Sequence, residues 1–367
     1  MPAKPPTAFA LDLDRRVGEG ATGRLYERLE NNQVRCYACA HRCLIKEGLR
    51  GICKVRYNRG GRLMVPRGYV GALQCDPIEK KPFFHAYPGS DALTFGMLGC
   101  DLHCSYCHNY VTSQALRDPD ALAEPLDCSA GQLVDTAQRR GARVVATSYN
   151  EPLITSEWAV EVFAEARARG FATAYISNGN ATREALDYIR PWTDLYKIDL
   201  KSMRDKNYRS LGGKLENILN GIRMVYEMGF WLEIVTLLIP GFNDGDEELK
   251  ELTGFLADLS PSIPWHVTAF HKDYRMQDRD NTSAAALLRA ASIGEAAGLE
   301  FVYAGNLPGR VGRYEDTRCP SCAMTLIRRF GYRIIEDHLS GSGRCPRCQR
   351  PIPGVFHPSR IELGRAK

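Results

Sequence analysis

The chain has 367 residues, of which 44% are hydrophobic and 25% charged, with a formal net charge of +5. That balance excludes large-scale disorder and leaves room for one large domain with smaller appendages. No stretch has the length and apolarity of a transmembrane helix. The start, Met1 to Ala10 with Pro2, Pro5 and Pro6, lacks the apolar core of a signal peptide, so a cytoplasmic protein is expected.

In chain order the first feature is a basic, cysteine-rich segment. Residues 35–67 hold nine Lys or Arg against the single acid Glu47. Such a run reads first as a solvated surface and second as a docking face for an acidic partner or nucleic acid. Thirteen cysteines in a chain without an export signal argue for thiolates held as metal ligands rather than for disulfides. Eleven fall into three groups: Cys36, Cys39, Cys43 and Cys53; Cys100, Cys104 and Cys107; Cys319, Cys322, Cys345 and Cys348. Cys75 and Cys128 stand apart. Each reads as a small buried apolar residue, with a further ligand as the other reading of Cys75.

Between the outer groups, short β-branched or aromatic runs alternate with longer helical patterns, the signature of βα units and a parallel sheet. The predicted strands are 93–99, 143–149, 172–178, 195–201, 231–239, 265–271 and 301–306. Ser156 is placed to cap a helix over 157–169 that stops at Gly170, and Thr182 to cap one that ends before Pro191. Six or so repeats over residues 90–308 are too few for a closed eight-fold barrel, so the expected fold is α/β, a partial (β/α)6 TIM-type barrel. Residues 1–89 form a cysteine-rich N-terminal region and 309–367 a C-terminal extension.

In such folds chemistry collects where the strands end. Those positions hold Cys100, then Ser148 to Pro152 with Glu151, then Ser177, Asn178 and Gly179, then Asp199 and Lys201, then Pro240 to Asn243, then His271. Taken singly, Asp199 with Lys201 is more often a salt-bridged strand end, and Ser177-Asn178-Gly179 a common turn; their joint position at successive strand ends reverses that weighting. Tyr274, Tyr303 and Arg310 are further candidates for substrate contact.

The first loop carries Cys100-x3-Cys104-x2-Cys107. Three thiolates leave one iron of a cubane [4Fe–4S] cluster open to a small molecule. A zinc site would require a fourth ligand, for which His103 and His108 are available. The run Gly99-Cys-Asp-Leu-His-Cys-Ser-Tyr-Cys-His-Asn109 resembles the cluster loop of radical S-adenosylmethionine (SAM) activating enzymes, such as the pyruvate formate-lyase activating enzyme. The resemblance implies that methionyl groups of SAM chelate the open iron, and that one electron cleaves the sulfonium to methionine and a 5′-deoxyadenosyl radical. It further implies that Asn109 faces the cofactor, Glu151 holds the methionine amine, Ser177 and Asn178 lie near the ribose, Asp199 and Lys201 meet the methionyl group, and His271 lies near the adenosyl moiety. Tyr149 and Asn150 stand where that family has two glycines.

Cys319-x2-Cys322 and Cys345-x2-Cys348 are two knuckles 22 residues apart, as in a zinc ribbon or rubredoxin-like site, with strands expected over 324–328 and 332–336. Structural zinc is the first reading and iron the second. The N-terminal four cysteines suit zinc or an auxiliary iron–sulfur cluster. With the run Asp76-Pro-Ile-Glu-Lys-Lys-Pro82, these flanks resemble the AmmeMemoRadiSam-system radical SAM enzymes over nearly the full length. That resemblance implies a pathway shared with Memo-like and AMMECR-like proteins and a one-electron donor such as flavodoxin or ferredoxin; a membrane or nucleic acid is not expected. Two alternatives are a glycyl-radical enzyme activase and, from another class, a metal-binding regulatory or nucleic-acid-binding protein.

Because a ribbon stabilises a unit too small for its own core, Cys345→Ala is expected to lower the thermal midpoint and the metal content while the central cluster still assembles. Loss of the central iron in that variant would contradict this division of roles.

Overall fold

The structure, a computed structural model, describes residues 23–121, 123–339 and 342–356. The reading of Met1 to Ala10 lies outside the described residues, as do the outer ends of both extensions. Among the described residues no helix is long and apolar enough to cross a membrane.

The central sheet has eight strands, labelled here β1 (Ala72–Pro77), β2 (Asp91–Gly96), β3 (Val144–Thr147), β4 (Ala172–Ser177), β5 (Leu195–Asp199), β6 (Trp231–Leu238), β7 (Trp265–Ala269) and β8 (Val302–Gly305). They lie in sequence order, β2 to β8 parallel and β1 antiparallel to β2. Strands such as β4, with the run ATAYIS, are buried along their whole length, which is why they read as continuous apolar runs rather than alternating ones.

Six crossovers carry helices: α1 (Ala130–Arg139), α2 (Ser156–Ala168), α3 (Arg183–Ile189), α4 (Leu215–Glu227), α5 (Asp246–Leu259) and α6 (Ala284–Ala296). With the strand order running one way, right-handed crossovers put every helix on one face. The main core joins Leu133, Val162, Leu186, Ile222, Leu252 and Leu287 of these helices to Val145, Tyr175, Tyr196, Ile234 and Val267 of the strands. The opposite, inner face is lined by small residues, Ala92, Ala146, Ala172 and Ala174, packed under Ile78, Phe83 and Tyr87. The six βα repeats are present, and the sheet stays open between β1 and β8. It also reaches upstream of residue 90, because β1 adds an antiparallel edge.

Thr182 caps α3 as expected, its hydroxyl accepting from Ala185 N at 3.1 Å. Ser156 does not cap α2. It is the first residue of that helix, its hydroxyl donates to Leu153 O at 2.8 Å, and the chain enters through a 3-10 turn, Pro152–Thr155, capped by Glu151. Pro152 fixes the turn, so the cap falls five residues earlier than the apolar pattern suggested.

The C-terminal unit is a three-stranded antiparallel sheet, Thr317–Arg318, Thr325–Phe330 and Arg333–Asp337, with the last two as a hairpin. It docks across the open side of the barrel. Tyr332 OH donates to Asn306 Oδ1 past β8 at 3.0 Å, Arg329 donates to Phe84 O at 2.9 Å, and Val355 pairs with Ala86. The N-terminal knuckle is held from the other side by Arg56, buried and paired with Glu157 of α2 at 2.7 and 2.8 Å.

A buried polar network closes the floor of the barrel. The Glu233 carboxylate accepts from Phe84 N, His85 N and Trp231 Nε1 at 3.0 Å each, and from His266 Nε2 at 2.7 Å. His85 Nδ1 donates to Pro353 O at 2.7 Å, and its Nε2 meets Tyr303 OH at 2.6 Å. Tyr303, considered for substrate contact, is thus a floor residue, fully engaged by His85 and by Thr317 at 2.9 Å. Cys75 lies on β1 opposite Leu93, and Cys128 precedes the Ser129 capping box of α1; neither joins a metal-binding group among the described residues.

Burial outweighs the attraction of Glu233 and holds the His85 imidazole down at about 4, and His266 is lowered for the same first reason. The unfolded chain takes up a proton near pH 6.5 that the folded chain refuses until about pH 4, so stability is lost as the pH drops across that window, by about 3 kcal/mol for His85 at most. Thermal midpoints measured from pH 7 to 4 should show this slope, flattened in His85→Gln; an unchanged slope in the variant would remove His85 as its source.

Candidate active site

The loop after β2 is shaped by space. Gly99 has φ +89°, and a Cβ there would lie 2.8 Å from Cys53 O and 2.9 Å from a Val55 methyl, so the backbone of the N-terminal knuckle presses on the loop where it turns. Cys100, Cys104 and Cys107 follow, sharing an apolar collar with Leu102, Tyr106, Leu211, Ile239, Phe270 and Met276. Burial pushes the Cys104 thiol up to about 11 and raises those of Cys100 and Cys107. A bound metal would hold these thiols as thiolates. Two polar contacts already point at the sulfurs: Leu102 N donates to Cys100 Sγ at 3.4 Å, and Ser113 Oγ lies 3.1 Å from Cys107 Sγ. The donor set and its water-excluding collar fit an iron–sulfur cluster.

Asp199, at the end of β5, stands between two lysines. Lys197 Nζ is 2.5 Å from its Oδ1 and Lys201 Nζ 3.6 Å from its Oδ2. Burial opposes the charged carboxylate, but Lys197 and Lys201 overcome it and hold its pKa below the usual range. The Lys201 charge also reaches Cys104 and Cys107, so this triad and the cysteines form one electrostatic unit. Lys197 carries no motif signal; its inward register on β5, two residues before Asp199, is the only clue the sequence offers.

Glu151, Ser177 and Asn178 are brought together, but with one another. Glu151 Oε1 accepts from Ser177 Oγ at 2.7 Å and Leu153 N at 3.0 Å, and its Oε2 accepts from Asn178 N at 2.7 Å. Burial and then Asp101 raise its pKa. Asp101, unnoticed in the sequence because it lies between ligand positions, is fully buried. Its two oxygens accept from Asn178 Nδ2 and Asn180 Nδ2, each at 2.7 Å. The polar groups at the ends of β3 and β4 thus hold the cluster loop to the barrel.

Tyr149 occupies φ +68°, a conformation that costs an L-residue roughly 1–2 kcal/mol. Gly96 beneath it gives the room, since a Cβ there would meet Ser148 O at 2.4 Å. Its ring lies under Lys81 Nζ at 5.0 Å, and Lys81 donates to its hydroxyl at 3.1 Å and to Asp76 at 3.2 Å. The Asp76 to Pro82 run therefore supports the loop that carries Glu151. His271 lies on the exposed rim, stacked on His108 at 4.1 Å, and Asn109 is exposed at the start of the turn Tyr110–Ser113. Tyr274 is tied to Asp118 by a 2.5 Å hydrogen bond and stacks on Tyr110, and Arg310 is exposed.

Asp101→Asn turns one acceptor into a donor facing an amide donor. It should destabilise the protein by about 2 kcal/mol and lower the iron retained after reconstitution. Denaturant midpoints and iron analysis check this, and wild-type values for both would count against a holding role.

Comparison with known proteins agrees with this site. Residues 95–253, from β2 through α5, match the family model of the Radical SAM superfamily. An uncharacterized protein of Methanocaldococcus jannaschii is 34% identical over 335 residues, covering 90% of this chain and 98% of that protein. The pyruvate formate-lyase-activating enzyme of Clostridium pasteurianum is 24% identical over 203 residues, 52% of this chain and 84% of that enzyme. A crystal structure of a domain of the Bacteroides vulgatus pyruvate-formate lyase-activating enzyme aligns at 26% identity and TM-score 0.40, over 44% of this chain and 98% of that domain. The family model and the activating-enzyme relatives together show that the chain belongs to the radical SAM superfamily and is an enzyme related to glycyl-radical enzyme activases.

Proposed function

We propose that Cys100, Cys104 and Cys107 hold a [4Fe–4S] cluster that binds and reductively cleaves SAM. The observation that carries this reading is the trio of thiols at the mouth of the sheet, Cys104 buried and Cys100 and Cys107 half-buried, inside an apolar collar and within reach of the Lys201 charge. When bound, the cluster and SAM supply a 5′-deoxyadenosyl radical that abstracts hydrogen from the substrate. The chain's own part is to orient and to exclude water. Asp199 and Lys201 would offer a carboxylate and an ammonium to the methionyl group, with Lys197 and Lys201 holding Asp199 ionised. Asn109 and His271, both exposed on the rim, would face the adenosyl moiety. Glu151, Ser177 and Asn178 act as positioning residues, since their polar atoms already bind one another and Asp101. The C-terminal quartet suits one structural zinc: its sulfurs pair at 3.5 Å, and all four lie within 4.8 Å of one another.

The electron comes from a donor of flavodoxin or ferredoxin type. We place the reaction in a pathway with Memo-like and AMMECR-like proteins, on the resemblance of the whole chain to that system. A second reading, activation of a glycyl-radical enzyme, is supported by the similarity to pyruvate formate-lyase activating enzymes over half the chain. The outer cysteine units favour the first reading, because a simple activase needs only the short barrel.

After anaerobic reconstitution, Cys104→Ala is expected to reduce methionine and 5′-deoxyadenosine formation to background. Retained cleavage would refute the assignment and favour a regulatory metal-binding protein. A stable glycyl radical signal appearing in a candidate partner enzyme would establish the activase reading over the pathway.

A further inference from the structure

Cys36, Cys39 and Cys53 are buried and Cys43 half-buried in the N-terminal knuckle. Their spacing differs from that of the C-terminal quartet. The four sulfurs of Cys319, Cys322, Cys345 and Cys348 all lie within 4.8 Å of one another, whereas no three of the N-terminal sulfurs do, and neither does the central trio. A single tetrahedral zinc, with Zn–S of about 2.3 Å, holds its sulfurs about 3.8 Å apart. Sulfurs that each bind a different iron of a polynuclear cluster stand further apart. By this measure the N-terminal set resembles the central one.

The two cysteine loops also touch. Arg117 Nη2 donates to Ile52 O at 2.6 Å and to Cys100 O at 2.7 Å, so a single nitrogen joins the residue before Cys53 to a central cysteine. Cys53 O packs against Gly99. His41 Nε2, buried and without a hydrogen-bond partner, lies 4.0 Å from Asp101 Oδ2. Ala40 N donates to Asn180 O at 2.9 Å. A zinc ion placed here would be a structural neighbour of the redox centre. A polynuclear iron–sulfur cluster would be its electrical contact.

We propose that Cys36, Cys39, Cys43 and Cys53 hold a polynuclear iron–sulfur cluster that relays the reducing electron to the central cluster. The relay rests on the central reading given above, whereas the metal identity does not. In the step, a reduced ferredoxin or flavodoxin loses one electron to the N-terminal cluster. That cluster passes the electron on and returns to its oxidised state, and no bond is made or broken.

The experiment uses the full chain, reconstituted anaerobically with iron, sulfide and zinc, as wild type, Cys43→Ser and Cys39→Ser/Cys43→Ser. Wild type should bind iron and acid-labile sulfide in excess of the central cluster's complement, with zinc matching the C-terminal site alone. The double variant should lose the excess and keep the central cluster's paramagnetic signal, which also reports that it has folded. Cys43→Ser, at the half-exposed ligand, gives the same test where the double variant does not fold. Zinc filling the N-terminal site, with no excess iron, overturns the metal assignment. For the relay, SAM cleavage is driven by reduced flavodoxin and, separately, by dithionite. The ratio of the two rates should fall by an order of magnitude in the variants. An equal fall with both reductants overturns the relay and leaves the cluster in place. If wild type cleaves no SAM while the excess iron is present, the central reading fails and the metal assignment survives.

Discussion

Two buried carboxylates on different strand ends grip the same four-residue loop, and the geometry at the barrel mouth depends on that double hold. Asp101 reaches it from the cysteine loop through the side-chain amides of Asn178 and Asn180, and Glu151 reaches it from the end of β3 through Ser177 Oγ and Asn178 N. Buried acids are costly unless every oxygen is engaged, and here each oxygen has a donor. The result is a rigid rim that joins β2, β3 and β4 where the three thiols emerge. Lys81, Tyr149 and Gly96 sustain the same rim from the inner side, so the strained Tyr149 backbone is held by contacts that relaxation would break.

Three thiol groups on one chain are kept distinct by how the backbone spaces them. In the C-terminal ribbon two tight knuckles face each other across a hairpin and force the sulfurs together. In the central loop Gly99 and the apolar collar spread three thiols along a turn, and in the N-terminal knuckle the four cysteines come from a strand and from the turns and loops that follow it. Spacing in sequence does not fix spacing in space: x2 separates ligands in all three groups, and only the fold distinguishes them.

Much of the sheet was legible because strands buried on both faces are continuous apolar runs, and all seven parallel strands begin within two residues of the runs that announce them. Their ends were read one to three residues too long, most at β2, where the loop residues Met97 and Leu98 are also apolar. The antiparallel β1 was missed because it is an edge strand, mostly exposed or half-buried and ending at Pro77, so it has neither pattern. Site residues with motif spacing could be named, whereas Asp101, Asn180 and Lys197 could not, as their roles arise from contacts between distant strand ends. Tyr303 shows the reverse error: an aromatic residue near a strand end suggests a substrate wall, but its inward register at the start of β8 places it in the floor.

The C-terminal hairpin acts on the barrel as a stave acts on a cask. It spans the side where β1 and β8 do not meet, touching Asn306 beyond β8 through Tyr332, Phe84 through Arg329, Gly89 through Ile334 and Ala86 through Val355. The four-cysteine unit therefore governs whether the barrel has a fourth wall. Losing its hold would leave two unprotected strand edges in the same molecule, the kind of surface on which chains self-associate.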